Sequence, residues 1–229
     1  MSETATPAQA TSTLAMIRAL GVVSAICGLI IVGTYQGTYS AAQANRRIAT
    51  ERAVFKVLPN AKSISEFVAL PGGGIERPRE GDATPGAVKF FAAYDGEGRL
   101  EGVAAEGAAK GYADTVRIMF GYRPSCQCIV GIGVVSMRET PGIGDKVLTD
   151  AEFLANFREL DVKLNQDLSA LANGVKVVKH GTKTKAWQID AIAGATVTSR
   201  AIGRAINDSA QHLLPKLVPE LEKLGKKES

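Results

Sequence analysis

Residues 87–107 read "AVKFFAAYDGEGRLEGVAAEG", two runs of strand-forming residues either side of the turn-forming "GEG" at 96–98. Apolar and aromatic runs bounded by a glycine turn predict a β-hairpin. The pattern returns at once, because "DTVRIMFGYR" (114–123) and "CIVGIGVVSM" (128–137) predict a second hairpin. Consecutive hairpins pair antiparallel, whereas a doubly wound parallel sheet needs a helix between successive strands. The fold class expected is therefore α+β.

Before the hairpins lie a strand-like "SISEFVAL" (63–70) and a Pro/Gly-rich connector, "LPGGGIERPREGDATPG" (70–86). After them, "DAEFLANFREL" (150–160) has helical spacing with Asp150 as its cap, and "GVKVVKH" and "AWQIDAI" give two more strands. The C-terminal "TSRAIGRAINDSAQHLLPKLVPELEKLG" begins as a helix that should break or bend at Pro215 and Pro219.

At the other end, "ALGVVSAICGLIIVGTY" (19–35) holds no charge over 17 residues. That is the short end for a membrane span. It extends through Met16 and Ile17 if Arg18 snorkels to the interface. An uncleaved anchor is favoured over a cleaved signal, for which "AQA" at Ala42–Ala44 offers a site. Helical composition continues to about Leu58 and stops at Pro59. The organisation expected is a polar tail (1–15), a transmembrane anchor (16–38), a juxtamembrane helix (39–60), one domain (61–212) and a C-terminal tail (213–229). Arg46, Arg47 and Arg52 after the span argue weakly for a domain on the inside, although long domains translocate regardless of such charges.

Hydrophobic residues at 45% and charged residues at 22% of 229 are globular values. The net charge of +4 is mild and no basic stripe is interleaved with aromatics, which excludes nucleic-acid binding. Two histidines and three cysteines, without a paired C-x-x-C, specify no metal site. Cys126 and Cys128, placed on one strand face, would lie roughly 6.5–7 Å apart. That is the long limit for a disulfide, so the pair reads as structural. His180 and His212 lie far from any primed nucleophile in sequence, so hydrolase chemistry is disfavoured.

Two glycine-containing stretches carry more. In "ETPGIGDK" (139–146), Pro141–Gly142 suits the centre of a type II turn, and Gly144 leaves a backbone amide open to close approach. In "AGATVTS" (193–199), Thr196 or Thr198 is either the N-cap of the last helix or a hydroxyl placed where helix amides favour an anion.

Together the two stretches resemble a known family. Asp190, Gly194, Ala195 and Thr196 fit the D-x-x-[S/T/A]-G-A-[T/S] pattern at which FMN is joined to protein through a phosphoester, and "ETPGIG" is similar to a second motif of the FMN-binding domain family. "GAAKGYADTVRIMFGY" and "ERAVFKVLPNA" resemble further segments of it. Motif order and the single N-terminal span are those of the G subunits of Rnf-type ion-translocating electron transport complexes. The C subunits of the sodium-pumping quinone reductase are related. The resemblance implies a transmembrane helix followed by one FMN-binding domain of antiparallel strands with flanking helices. A flavin transferase would place FMN on Thr196, with Thr198 the second candidate. Gly194 and Ala195 would keep the approach open and Asp190 would belong to the recognised signature. Glu139, Thr140, Gly142 and Gly144 would line the flavin. The implied role is electron relay among integral membrane subunits, without independent catalysis and with the domain on the periplasmic side. A free-standing anchored flavoprotein and an unflavinylated interaction domain are the alternatives. Met137 departs from the family, standing where a histidine is common.

Overall fold

The computed structural model describes residues 12–78 and 84–225. The expected polar tail falls mostly outside them, as do part of the Pro/Gly-rich connector and the last four residues of the expected C-terminal tail. The chain divides into two compact units, up to Ile48 and from Ala49.

Helix α1, Thr13–Val57, carries the apolar stretch in one uninterrupted run to the residue before Leu58. Its most apolar 18-residue window has a mean hydropathy of 2.3 and no buried residue. Among the described residues it is the one helix long and apolar enough to cross a membrane. Leu20, Leu29 and Ile31 present their side chains uncovered by protein, which is the surface a bilayer solvates.

The second unit is built on a sheet of β1 (Ser63–Ala69), β2 (Ile75–Glu76), β3 (Val88–Tyr94), β4 (Leu100–Lys110), β5 (Thr115–Arg123), β6 (Cys128–Ser136) and β7 (Leu160–Asp161). Their order is β2-β1-β3-β4-β5-β6-β7, and every pair is antiparallel. Both predicted hairpins form as β3–β4 and β5–β6.

Side chains alternate between the two faces of the sheet with period 2. Phe90, Ala92 and Tyr94 of β3 and Ile118, Phe120 and Tyr122 of β5 join one apolar cluster. Phe91, Ala93 and Met119, one residue out of step, join the other. Helix α3, Thr196–Leu217, covers the first face with Ala201, Ile202, Ala205, Ile206 and Leu213, all buried. It approaches so closely at Gly107 that any Cβ there would collide with the Ala205 carbonyl. Val54, Val57 and Leu58 cover the second face, where a Cβ on Gly121 would lie 2.8 Å from the Val57 carbonyl oxygen. The last turns of α1 therefore belong to this domain's core, and the boundary expected at residue 61 lies too late in the chain.

Four further expectations are corrected. The helix over 150–160 is only Ala151–Ala155 (α2), capped by Asp150, whose side chain accepts from Phe153 N at 2.8 Å. It stops because the Asn156 amide turns back onto Phe153 O (3.0 Å) while its Oδ1 accepts from Asp190 N (3.0 Å). Leu160, now free of the helix, pairs with Ile129 as β7.

Strands β8 (Lys176–Val178) and β9 (Gln188–Asp190) form where two strands were expected, as a small parallel pair separate from the main sheet. Pro215 does not break α3. It sits in the last turn, where Leu213, Leu214 and Leu217 are fully buried and packing outweighs one missing N–H. A 3-10 turn at Val218–Leu224 takes in Pro219 and buries Leu224, so residues 213–224 are core and not tail.

Finally, Cys126 and Cys128 do not share a strand face. Cys126 lies in the β5–β6 turn, and Gln127 takes a left-handed φ of +51°. This draws the two Cα atoms to 5.2 Å and closes a disulfide, within the ordinary range for that bond.

Candidate functional site

Two loops from distant parts of the chain meet at one end of the sheet. After β6 the chain reaches Glu139, turns through Thr140–Ile143, and enters a 3-10 turn at Gly144–Leu148. Gly142 has φ +75° and Ile143 N donates to Thr140 O at 3.2 Å, the geometry of the turn read from Pro141–Gly142. Gly144 differs from expectation. Its N–H is spent on Thr140 O (2.9 Å), so it offers no open amide. What it needs is the missing side chain, since a Cβ would lie 2.7 Å from Glu139 Cβ and 3.2 Å from the Thr198 hydroxyl.

Glu139 ties the end together. Its Oε1 accepts from Tyr112 N (3.1 Å) and Ala113 N (3.2 Å) in the β4–β5 turn, and its Oε2 accepts from Thr198 Oγ1 at 2.7 Å. Burial pushes this carboxyl upward, but the bonds from Thr198, Ala113, Tyr112 and Asp114 outweigh it and hold the group below its ordinary value. The carboxylate is thus a fixed anion clamping two loops to the start of α3.

On the α3 side, Asp190 ends β9, Gly194 takes φ +84° with nothing within 4 Å of where a Cβ would be, and Ala195 is the N-cap without a side-chain bond. Neither threonine is the cap. Thr198 is 2% exposed and committed to Glu139. The first turn is secured instead by Ser199, whose Oγ accepts from Ile192 N (3.2 Å) and donates to Ala195 O (2.9 Å). Thr196 is half-buried, and its hydroxyl makes only a 3.5 Å approach to Ile192 O, at the outer limit of a hydrogen bond. Its oxygen stands at an uncapped helix start, where first-turn amides and the helix dipole favour an anionic group.

Beside Ala193 opens a cleft of about 410 Å³ lined by Lys146, Asp150, Phe153, His180 and Asp190. Asp190 accepts from Gly181 N (2.8 Å) and Thr182 N (3.4 Å), so it fixes the β8–β9 loop as one wall. Lys183 anchors the same loop on Asn156 Oδ1 (3.0 Å). Burial lowers its ammonium pKa, against the raising influence of Asp190.

The structure therefore bonds Glu139 to Thr198 and packs Gly144 closely against both, with Thr196 two residues back along the helix. Thr140 and Gly142 sit exposed on the loop rim, and Asp190 acts on the opposite loop. Met137 packs against the core cluster. Sequence reasoning missed Lys146, His180 and Asn156, for which no local pattern exists. The clamp on Tyr112 and Ala113 had a faint signal in the Gly111–Tyr112 turn.

A chain with these features matches known proteins. Residues 111–211 match the FMN-binding domain family. The chain is 26% identical to the G subunit of the ion-translocating oxidoreductase complex of Methanosarcina acetivorans, over 84% of this chain and 89% of that one. It is 29% identical to the G subunit of the Na(+)-translocating ferredoxin:NAD(+) oxidoreductase complex of Acetobacterium woodii, over 68% and 70%. In fold it is similar to the crystal structure of Shewanella oneidensis NqrC, with a TM-score of 0.59 and 22% identity over 79% of this chain and 98% of that one.

Proposed function

We propose that this chain, an α+β FMN-binding domain behind an apolar anchor helix, is the membrane-anchored electron-transfer component of an ion-translocating oxidoreductase complex, with FMN held by a phosphoester to Thr196. The observation that carries the attachment point is the division of labour between the two threonines. Thr198 is buried and bonded to Glu139, whereas the Thr196 hydroxyl is accessible and all but free.

The residues present suit the group. Open space at Gly194 gives a flavin transferase access, and the uncapped start of α3 offers amides to a phosphate. The Thr140–Gly142 rim and the Lys146 and His180 side of the cleft would flank the ring. When bound, FMN would supply electron transfer. The protein's part is to fix the attachment helix through the Thr198–Glu139 bond and to orient the cofactor toward neighbouring membrane subunits.

The Cys126–Cys128 disulfide supports a domain on the periplasmic side, because disulfides persist in oxidising compartments. It outweighs the arginines after the span. Intact-mass measurement of protein made with an active flavin transferase tests the proposal. Wild type and Thr198→Val gain one FMN phosphoester and Thr196→Ala gains none. An unmodified wild type, with a control target modified, sinks it.

A further inference from the structure

The C-x-C disulfide is the sequence feature that flavin chemistry leaves unused. It sits at the start of β6, at the opposite end of that strand from Glu139. Its ring encloses one residue, so it removes little freedom from the unfolded chain; stabilisation by cross-linking grows with loop length. Gln127 inside the ring is a non-glycine residue held at φ +51°, an uncommon conformation that costs energy and is found clustered at functional sites. The two sulfurs differ in access, since Cys126 is half-buried on the turn and Cys128 is 4% exposed.

Arg123 is the cross-strand partner of Cys128 in the β5–β6 register. Its Nη2 donates to Glu101 Oε1 at 2.7 Å, and Glu101 is held in turn by Asn60. Its Nε is buried with no hydrogen-bond partner among the described residues. A buried donor is rarely left unmade without a reason. Directly opposite residues in an antiparallel pair share a face with Cβ atoms about 4.5–5.5 Å apart. The register therefore sets Cys128 opposite Arg123, and the Cys126 sulfur lies 3.5 Å from Arg123 O; a thiolate formed at Cys128 would stand near a guanidinium, which favours that form.

We propose that Cys126–Cys128 is a thiol–disulfide exchange site that accepts two electrons from a dithiol reductant. One thiolate of the reductant attacks Cys126 Sγ. The Cys126–Cys128 bond breaks and Cys128 leaves as a thiolate facing Arg123. The reductant's second thiol gives its proton to solvent and attacks its own sulfur in the mixed disulfide. That closes the reductant's disulfide and releases Cys126, which takes a proton. The dithiol is oxidised and the pair reduced, with no other reactant. Opening the ring frees Gln127, whose carbonyl accepts from Val162 N (3.2 Å) beside β7. Among the described residues, that bond links the ring's turn to the chain just after β7. None of this depends on the flavin.

The test uses the full chain in detergent, with dithiothreitol as the dithiol and N-ethylmaleimide labels counted by intact mass. Cys27 is a free thiol and takes one label in either state. The expected result is one label before reduction and three after it, with far-UV circular dichroism unchanged and the single label restored on reoxidation. Arg123→Gln slows reduction about tenfold through the poorer leaving group, and Arg123→Lys recovers most of the rate. Labels on Cys126 and Cys128 that appear only in denaturant would make the pair a sealed staple and overturn the proposal. Three labels without any reductant would overturn it as well. Reduction of Arg123→Gln at the wild-type rate would remove Arg123 from the mechanism.

Discussion

Replacing Thr198 by valine isolates the bond on which the start of α3 is hung. Valine keeps the shape and β-branching and deletes only the hydroxyl, so packing at a site 2% exposed is preserved. The lost bond is a 2.7 Å contact to an ionised carboxylate, a class that contributes about 1.5–3 kcal/mol. Glu139 is half-exposed and keeps its backbone donors Tyr112 and Ala113. Solvent screening therefore sets the expected loss at the lower end, about 1–2 kcal/mol. For a domain of this size each kcal/mol lowers Tm by about 2–4 °C, so a fall of roughly 2–8 °C at pH 7 is expected. The pH dependence supplies the sharper check. A carboxyl held below its ordinary value gives stability that is complete above about pH 4.3, its unfolded value. That stability is lost as pH falls through the folded value. The cost of Thr198→Val should therefore shrink toward that of a neutral bond, about 0.5–1.5 kcal/mol or less, as pH is lowered through the folded value. Thermal unfolding of wild type and variant in a pH series from 7 down to the acid limit of folding, followed by near-UV circular dichroism, reads both numbers. A variant as stable as wild type at pH 7, or one whose deficit stays constant down to that acid limit, would refute the clamp.

Two further substitutions probe what surrounds the site. Gly107→Ala drives a methyl into the Ala205 carbonyl where α3 crosses β4, and the overpacking should cost about 1–3 kcal/mol. A lower urea midpoint with unchanged slope is the expected reading, and an unchanged midpoint would mean the helix shifts freely. Asp190→Ala removes the acceptor for Gly181 N and Thr182 N and should cost about 1–2 kcal/mol. Those two amides should exchange hydrogen faster than in wild type while the β5 amides keep their protection. Equal acceleration across the sheet would mean Asp190 supports the whole fold and not one loop.

The hairpins at 87–107 and 114–137 were legible because runs of apolar and aromatic residues, joined in the first by a glycine turn, are local signals. The apolar span of α1 was legible for the same reason, as a run of uncharged residues. The turn at Pro141–Gly142 followed from the φ that each residue permits. The helix over 150–160 was misjudged because its end is set by Asn156 binding Asp190 N across 34 residues of chain. Pro215 was misjudged because three buried leucines outweigh one absent donor.

The threonines show the division most clearly. Sequence alone determined that a hydroxyl pair stands at a helix start behind a glycine turn. Only the tertiary structure decided which hydroxyl is committed, because that depends on Glu139, 59 residues away, reaching Thr198, while Thr196 keeps just a 3.5 Å approach to Ile192 O. The cysteine pair obeys the same rule. Local spacing on a strand would hold the sulfurs apart, and the left-handed turn at Gln127 brings them together. Local chemistry is written in neighbouring residues. Which donor meets which acceptor is settled by the packing of α3 and the loops on the end of the sheet.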